Sequence, residues 1–367
     1  MKLTCNRDNL IEGLNIVQKA VPSKSTLSIL EGILIEVGEE VRLTGNDNDF
    51  GIVYEVPGII EEIGSIVVNS KTFGDIIRKL PDVYVTLETD NGGNMLFITS
   101  GKANYKIKTI SAENYPPVSF LDTTNSIELR ADLLQSMIRE TSFAASIEDK
   151  RIILQGVYME QHENEMRCVA IDGYRLALKI ANISNTNEYG VIVPTKILNE
   201  LVKSFKPTDE KIKFCVNENQ IMFYTDSFRM VSKLYKGEYI DYRRMIPKDF
   251  KTSVTVDTKQ LLNALERAAL VINDEKRFPV TITFSGSDEI TVAVTTEIGA
   301  VKEQISAQIS GEEMTIGFSS KNFIEILRVI NDDKIVISLL SPLSPCIITG
   351  ESDTSFTYLI MPIRTRS

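Results

Sequence analysis

Three segments of the sequence carry basic side chains at one spacing, which suits them to contact phosphate groups. The first segment is Ser70–Leu80, in which Lys71 and Arg78 are seven residues apart. The same two positions are basic 125 and 250 residues later, as Lys196 and Lys203 and then as Lys321 and Arg328. Lysine and arginine bind phosphate through charge-assisted hydrogen bonds. The alternative is an ordinary solvated surface, because acidic residues lie between the basic ones and could pair with them at helix spacing.

The elements that must position these side chains are amphipathic helices. In the first segment Phe73, Ile76, Ile77 and Leu80 follow the i, i+3, i+4, i+7 spacing of a helix with one buried face. The segments 195–205 and 320–330 repeat this apolar stripe, and they also repeat three charged positions and a hydroxyl residue that we predict to be the cap. The predicted caps are Ser70, Thr195 and Ser320. Agreement of stripe, cap and charge at one offset indicates three copies of one domain.

The pattern between these helices predicts an α+β fold, with the order β-α-β-β-β-α-β-β-β in each copy. Alternating apolar and polar residues indicate antiparallel strands with one buried face. Polar or proline-containing stretches separate the copies, so we predict domains at residues 1–122, 123–249 and 250–367. A row of three such units has two free sheet edges, which a second copy could pair with, and a head-to-tail contact that closes gives a ring.

Composition is typical of a soluble globular protein. The 367 residues have a formal net charge of −10, which by itself disfavours nucleic acid as a partner. The start of the chain lacks the apolar region of a secretory signal, and no apolar run approaches the roughly 20 residues that cross a bilayer. The four cysteines are scattered without a CxxC pair, so we expect reduced, buried thiols in a cytoplasmic protein.

An enzymatic function has little support in the sequence. Its single histidine, His162, lies in a polar loop, and a Ser-His-Asp triad or a histidine metal site would depend on it. Asp47 and Asp172 occupy similar places in two repeats, where carboxylates usually cap turns. No Walker sequence is present, and no GxGxxG lies between a strand and a helix. We therefore expect no catalysis, no metal and no cofactor.

Several motifs resemble those of the bacterial sliding clamps, the DNA polymerase III beta subunit family. The most specific are the stretches Ala170–Ala177, Asp241–Arg244 and Tyr358–Arg364, and Gly101–Pro116 also matches. The resemblance covers essentially the whole chain, and three repeats fit this family rather than the two-repeat clamps of eukaryotes and archaea. It implies a head-to-tail homodimer of six similar domains around a central hole, with sheets outside and helices lining a pore through which DNA passes.

The resemblance implies that basic residues on the pore-lining helices contact double-stranded DNA without sequence preference. The helix windows 71–80, 196–206 and 321–330 have net charges of +2, +2 and +1 within a chain at −10. A mildly positive pore would hold phosphates loosely, whereas an acidic exterior would repel DNA. The expected DNA-contacting residues are Lys24, Lys71, Arg78, Lys79, Arg151, Lys196, Lys203, Lys206, Lys321 and Arg328; plain surface charge is the alternative for Lys24 and Arg151.

The resemblance also implies a peptide cleft between the second and third domains. It would receive short motifs, roughly Gln-x-x-Leu-Phe, from the replicative polymerase alpha subunit and other DNA enzymes. An apolar cleft suits leucine and phenylalanine anchors, methionine adapts to varied ligands, and arginine orients them. The matching residues are Leu154, Ile171, Gly173, Tyr174, Arg175, Leu176, Ile240, Arg244, Met245, Leu343, Leu359, Ile360, Met361, Pro362 and Arg364. Tyr174 and Ile240 depart from the family's usual histidine and proline, which leaves partner preference open.

The expected dimer contact joins the first domain of one chain to the third domain of another. Its candidates are Tyr105 and Ile107 on a strand and Leu270 and Val271 at a helix end, with ordinary core packing as the alternative. A clamp loader is the further expected partner, because the ring must be opened and closed around DNA, and no membrane is expected. The competing hypothesis is a repeat scaffold that binds only protein partners and does not encircle DNA.

Overall fold

The structure is a computed structural model, and it describes residues 1–183, 188–205, 208, 210–272, 278–286 and 288–364. Two helices lie in each of the three repeats. The six helices of the described residues are α1 (Arg7–Val17), α2 (Ser70–Lys79), α3 (Ala131–Ser142), α4 (Thr195–Ser204), α5 (Thr258–Ala269) and α6 (Ser320–Val329). None of the helices in this described part is long and apolar enough to cross a membrane.

The predicted apolar stripes are the buried faces of these helices. Phe73 and Ile77 of α2 have no exposed surface, and Phe323 and Leu327, which hold the same positions in α6, are 0% and 1% exposed. The predicted caps were wrong by one residue at α2 and α6. Asn69 accepts a hydrogen bond from the Thr72 amide, and Ser319 caps α6 in the same way. Ser70 and Ser320 are instead buried first residues of their helices, because the chain leaves its extended conformation one residue earlier than the spacing suggests.

The strands alternate with the helices in each repeat. In the first repeat they are β1 (Lys2–Asn6), β2 (Gly32–Val37), β3 (Val41–Asn46), β4 (Phe50–Val56), β5 (Gly58–Glu62), β6 (Gly64–Asn69), β7 (Tyr84–Thr89), β8 (Met95–Ser100), β9 (Ala103–Lys108) and β10 (Ile110–Ser111). In the second they are β11 (Ile127–Arg130), β12 (Gly156–His162), β13 (Glu165–Ile171), β14 (Arg175–Asn182), β15 (Tyr189–Pro194), β16 (Lys211–Val216), β17 (Gln220–Tyr224) and β18 (Phe228–Lys233). In the third they are β19 (Thr252–Asp257), β20 (Val280–Ser285), β21 (Glu289–Thr295), β22 (Ala300–Gly311), β23 (Met314–Phe318), β24 (Lys334–Leu339), β25 (Cys346–Gly350) and β26 (Phe356–Ile360).

The predicted order lacked at least one strand in every repeat. Three strands were expected between the helices, but β4, β14 and β22 add a fourth, and the first repeat has β5 as well. β4 and β14 are buried on both faces over most of their length, so their sequences do not alternate between apolar and polar residues. Period-two alternation is the signal of a half-buried strand, and it is absent from a strand covered on both sides.

These strands form three antiparallel sheets. The orders are β5-β1-β7-β8-β9, then β10-β6-β2-β3-β4-β18-β17-β16-β11, and then β15-β12-β13-β14-β26-β25-β24-β19-β22-β21-β20-β23. The long sheets cross the predicted domain boundaries, because β4 pairs with β18 and β14 pairs with β26. Two compact units result: Met1–Asp132 with Lys203–Leu234 (unit 1), and Leu133–Val202 with Tyr235–Ser367 (unit 2). The boundaries at 122/123 and 249/250 stay predictions.

The strand register is the same in all three repeats. Each repeat has a row of directly opposed residues that crosses three neighbouring strands, the third of which is the added strand. These rows are Ile35, Leu43 and Tyr54, then Met159, Cys168 and Lys179, and then Ile282, Val292 and Glu303. Tyr54, Lys179 and Glu303 are therefore structural counterparts, which allows the junctions between repeats to be compared position by position.

The four cysteines are buried and free of disulfide bonds, as expected. Burial raises the pKa of the Cys5 and Cys168 thiols to about 12 in each case, because a thiolate loses its hydration in the core. These thiols therefore behave as small apolar core residues.

The α6 stripe gives a direct test of these packing assignments. Replacing Phe323, which packs edge-on against Phe318 at 5.3 Å, with alanine should lower the free energy of unfolding by about 3–5 kcal/mol. The matched control is Lys321→Ala on the exposed face of α6, which should change it by no more than about 0.5 kcal/mol. Urea unfolding followed by circular dichroism measures both, and equal small effects would contradict the assignment.

Candidate functional site

The predicted cleft residues meet around one apolar cluster in unit 2, which we call the cleft cluster. Its buried members are Leu154, Val169, Ile171, Leu176, Leu178, Tyr242, Ile347 and Leu359. Ile240, Met245 and Met361 pack against it while partly exposed. Four predicted residues thus form the buried floor, and three more lie where an apolar ligand could touch them. Strand pairing brings them together, since Leu176 of β14 is directly opposite Leu359 of β26.

A tight turn forms the rim beside this cluster. Gly173 has φ +90°, a conformation that favours glycine, and Asp172 accepts hydrogen bonds from the amides of Tyr174 and Arg175 at 2.8 and 2.9 Å. The turn leaves the Tyr174 residue 62% exposed. The Met361 amide donates to the Tyr174 carbonyl at 2.8 Å, which ties the end of β26 to the rim. The predicted residues Gly173 and Tyr174 are therefore accessible to a ligand.

Arg175 was predicted to orient a bound ligand, but the structure gives it a different role. Its side chain is 8% exposed and donates to Asp172 at 2.9 Å and to the Phe143 carbonyl at 2.7 Å. It also pairs with Glu325 of α6, and its guanidinium lies 5.3 Å from the Phe143 ring centre. All of these donors point away from solvent, so Arg175 joins β14 to α3 and α6 rather than facing a ligand. Ile360, also predicted, is fully buried and lies outside the cleft cluster.

The remaining predicted cleft residues are at the surface. The Arg244 side chain is 87% exposed and pairs with Asp241 at 2.9 Å, and the Leu343 residue is 70% exposed. Pro362 is half-buried and Arg364 is exposed. The Arg244 guanidinium therefore lies in solvent near the cluster, because its neighbour Met245 packs against the cluster.

Sequence reasoning missed the buried and half-buried tyrosines of this site. Tyr242 is a buried cluster member whose hydroxyl donates to Glu160 at 2.6 Å. Burial, followed by the nearby Glu160 carboxylate, raises the pKa of Tyr242 to about 12, so it stays a neutral donor. Tyr158 and Tyr239 stack at 5.0 Å beside it. Tyr242 belongs to the motif Asp241–Arg244, but nothing in the local sequence pattern indicates that Tyr242 is buried while Arg243 and Arg244 beside it are exposed.

The basic residues divide into unpaired and paired groups. Lys24, Lys71, Lys79, Lys196 and Lys321 are exposed, and no acidic residue of the described part lies within ion-pair distance of them. Lys71, Lys196 and Lys321 hold the same position on α2, α4 and α6. An exposed ammonium without an acidic neighbour can attract an incoming phosphate with no nearby negative charge to offset it.

The predicted arginines are tied to neighbouring side chains. Arg78 of α2 donates to Asn15 of α1 at 2.9 Å, contacts Gln18 and lies 3.7 Å from Asp75. Arg328 of α6 pairs with Glu266 of α5 at 2.7 Å, and Arg151 pairs with Asp149 at 3.1 Å. Lys203 is exposed and has a partner of its own. Lys206 lies outside the described residues.

The predicted dimer residues lie at open sheet edges or chain surfaces. β9 is the last strand of the five-stranded sheet, and Tyr105 on it is 40% exposed with Ile107 half-buried. Leu270, just after α5, is 81% exposed, and Val271 is half-buried. The alternative of ordinary core packing is wrong for Tyr105 and Leu270, since both are too exposed.

The candidates for catalysis have ordinary structural roles. The His162 side chain is 63% exposed and its Nδ1 lies 2.9 Å from Glu188 at the surface. Asp47 accepts amide hydrogen bonds from Asp49 and Phe50, as Asp172 does in its own turn. Each carboxylate is occupied by a turn, so neither is aimed at a reacting group.

The role of Arg175 can be tested by stability alone. Arg175→Ala leaves Glu325 and the Phe143 carbonyl without their partner, so it should cost about 3–5 kcal/mol of unfolding free energy. Arg244→Ala is the matched control, because its exposed pair with Asp241 is worth no more than about 1 kcal/mol. Thermal unfolding of both variants measures this, and a stable Arg175→Ala protein would return Arg175 to the ligand-facing group.

Comparison with known proteins assigns the whole chain to one family. Models of the DNA polymerase III beta subunit match its N-terminal domain at residues 1–119, its central domain at 128–241 and its C-terminal domain at 243–364. The beta sliding clamp of Bacillus subtilis strain 168 is 35% identical, and that of Staphylococcus aureus strain Mu50 is 32% identical, each over 100% of both chains. The crystal structure of the DNA polymerase sliding clamp from Bacillus subtilis matches with a TM-score of 0.97 at 34% identity over 100% of both chains. The chain therefore belongs to the DNA polymerase III beta subunit family, the sliding clamps.

Proposed function

We propose that this chain is a DNA sliding clamp that encircles duplex DNA and tethers the replicative polymerase to it. It is a non-catalytic accessory subunit that acts by effective concentration, since a tethered polymerase rebinds before it diffuses away. The observation that carries the DNA-binding role is an exposed lysine at one position of α2, α4 and α6, namely Lys71, Lys196 and Lys321, with no acidic partner among the residues that the structure describes. Its cellular place is the cytoplasm, at the nucleoid.

The charge distribution explains how such a clamp slides. The chain as a whole has a formal net charge of −10, so most of its surface repels DNA. The exposed lysines on the helices attract phosphates without reading bases, because phosphate contacts carry no sequence information. The arginines paired with Asp75, Glu266 and Asp149 moderate this attraction. Weak, uniform attraction permits movement along the duplex.

The cleft cluster is the proposed docking site for partner peptides of the form Gln-x-x-Leu-Phe. The half-buried side chains of Ile240, Met245 and Met361 offer apolar contact, and Tyr174 and Arg244 offer exposed polar groups at the rim. Apolar anchors in a mostly preformed cleft, oriented by a few polar groups, are the usual basis of peptide recognition. The partners are the polymerase alpha subunit, the clamp loader and other proteins with this motif; the clamp itself needs no cofactor.

The homodimer is proposed from the two strand junctions inside the chain. β4 pairs with β18 in unit 1, and β14 pairs with β26 in unit 2. Residues 300–306 of β22 pair with β21 on one edge only, and β9 pairs with β8 on one edge only. Their other edges have no partner strand among the described residues. An open edge invites pairing with another chain. β22 is the counterpart of β4 and β14, and β9 is the counterpart of β18 and β26. A third junction of the same kind therefore forms between two copies.

The internal junctions also give the register of this contact. Tyr105 is opposite Ile98 as Met230 is opposite Phe223, and Met230 is opposite Ile52. Ile52 is the counterpart of Val301, so Tyr105 should pair with Val301 of the second copy. Phe143 packs on Tyr358 at 5.6 Å in unit 2. Leu270 is the counterpart of Phe143, and Tyr105 is the counterpart of Tyr358. In the dimer, Leu270 of one copy would pack on Tyr105 of the other, which accounts for the exposure of both residues in a single chain.

The DNA-binding proposal is tested by retention on circular DNA. The protein is loaded onto nicked circles with its clamp loader and ATP, free protein is removed, and the circle is then cut once. We expect the clamp to stay on circles at high salt and to leave after cutting, because the link is topological. Replacing Lys71, Lys196 and Lys321 together with glutamine should weaken loading, since the salt-dependence slope falls by about 0.9 for each phosphate that is no longer neutralised.

Two outcomes of this test would contradict the clamp mechanism. Equal retention on linear and circular DNA that falls steeply with salt would indicate ordinary electrostatic binding. No retention on either DNA, despite an active loader, would favour the protein-only scaffold. Glutamine at Lys236, Lys248 and Lys334 is the matched control, because it removes equal charge from exposed positions outside the six helices and outside β9 and β22.

The register is tested by cysteine cross-linking. Tyr105→Cys combined with Val301→Cys should give a covalent dimer under mild oxidation, seen on a non-reducing gel, because directly opposed side chains lie within disulfide reach. The control pairs Tyr105→Cys with Lys302→Cys, whose side chains point to opposite sheet faces. The native cysteines are buried and should contribute little. Stronger cross-linking of the control pair would make the register wrong by one residue.

A further inference from the structure

Unit 1 contains a structural counterpart of the cleft cluster. The opposed pair Leu176 and Leu359 of the cleft corresponds to Gly51 and Val231 at the β4·β18 junction. Ile347 is opposite Leu359, as Met222 is opposite Val231. We call the groove above Gly51, Met222 and Val231 the first-junction groove. The repeat therefore builds the same kind of apolar seat twice in one chain.

The chain itself lies in this groove. Val118 and Leu121 pack, half-buried, against the cluster of Cys215, Met222 and Val231. A Cβ atom on Gly51 would come within 2.6 Å of Val118, so the missing side chain at position 51 is what admits Val118. In the cleft, the same position carries the buried side chain of Leu176. At the first junction Val118 thus fills the space that the Leu176 side chain of β14 fills at the second junction.

Two further contacts hold the segment Pro116–Leu121 down. The Asn46 side-chain amide donates to the Pro116 carbonyl at 2.9 Å, and the Arg229 guanidinium lies 5.4 Å from the Phe120 ring centre. At the second junction Ile171 replaces Asn46 and cannot donate such a bond. Pro116–Leu121 follows Tyr115, and its counterpart at the second junction is the segment that follows Tyr239. Both tyrosine hydroxyls donate a hydrogen bond to an equivalent strand carbonyl, Tyr115 to Thr44 and Tyr239 to Val169. The segment after Tyr239 forms a 3-10 turn at Tyr242–Arg244, whereas Pro116–Leu121 is without regular structure.

We infer that Pro116–Leu121 is a built-in ligand that occupies the first-junction groove, and that its removal opens a second site for an apolar partner peptide. An extended segment with two apolar side chains, one backbone hydrogen bond and one ring contact to an arginine has the chemistry of a bound peptide. The inference rests on the proposed function, because it takes the cleft as the model for the second site. It explains why each chain has one open peptide site although the repeat supplies two seats.

The experiment counts peptides bound per chain. A fluorescein-labelled peptide Gln-Ser-Ser-Leu-Phe is titrated by calorimetry into the wild type and into the double variant Val118→Ser with Leu121→Ser. We expect one site in the wild type and two in the variant. The matched control is Val83→Ser with Leu27→Ser, which removes similar apolar side chains from exposed positions of unit 1 and should keep one site. No binding to the wild type would contradict the proposed cleft, whereas one site in both proteins would contradict this inference alone.

Cys215 supplies a second readout that does not depend on the double variant. It is 3% exposed beneath Val118 and Leu121, and the other cysteines are buried elsewhere in sheets or core. If the segment is a detachable ligand, a thiol reagent should modify Cys215 of the native wild type before Cys168 and Cys346, as mass spectrometry of digested protein would detect. Modification no faster than at those two positions would mean that the segment detaches only with global unfolding, and would overturn the inference.

The variant Gly51→Leu separates displacement of the segment from removal of its side chains. This variant keeps Val118 and Leu121 but fills the space above position 51 that Val118 occupies. Cys215 should therefore react with the thiol reagent at least about tenfold faster than in the wild type, a factor that corresponds to about 1.4 kcal/mol. Added peptide should slow this reaction in the double variant by covering Cys215. Unchanged reactivity in Gly51→Leu would show that Val118 does not depend on the space above Gly51, contrary to the inference.

Discussion

The structure depends above all on the pairing of strand edges between repeats. A strand edge exposes a row of amide and carbonyl groups that must find partners, and an unpaired edge is open to association with other chains. β4 meets β18, and β14 meets β26, so each repeat completes a sheet that its neighbour begins. The compact units consequently cut across the repeats. The outer edges of β9 and of residues 300–306 of β22 have no such partner among the described residues, and the proposed homodimer would pair them. One constraint thus explains both the internal sheets and the expected homodimer.

The two internal junctions use the same backbone pairing but different side chains. At the second junction Lys179 pairs with Glu140 at 2.7 Å and with Asp353 at 3.0 Å, and Arg175 pairs with Asp172 and Glu325. The counterparts of Arg175 and Lys179 at the first junction are Phe50 and Tyr54. A buried ion pair adds little net stability but is costly to break, so it favours one arrangement over alternatives. The junction that carries the cleft cluster therefore has buried ion pairs that favour one geometry, whereas the ion pairs at the first junction, Arg229 with Glu55 and Lys233 with Asp49, are more exposed.

The acidic chain and its basic helix faces are compatible because charge acts locally. Exposed charges more than about 10 Å apart are largely screened at physiological salt. The lysines on α2, α4 and α6 can therefore attract phosphate although the chain carries an excess of ten negative charges. That they have no acidic partner in the described part of the chain matters more than their number, since Arg78 and Arg328 have the same type of charge but are already bonded.

The sequence by itself determined the three repeats, the apolar stripes of the helices and the basic positions on them, because these are local patterns with a helical period. It also identified half of the buried members of the cleft cluster, though only through resemblance to a family. Tertiary structure alone decided that Arg175 is buried and bonded, that Arg78 is bonded whereas Lys71 has no acidic partner among the described residues, and that Val118 covers Gly51. Each of these depends on a partner from another strand or helix, and no local pattern records which distant residue will lie opposite.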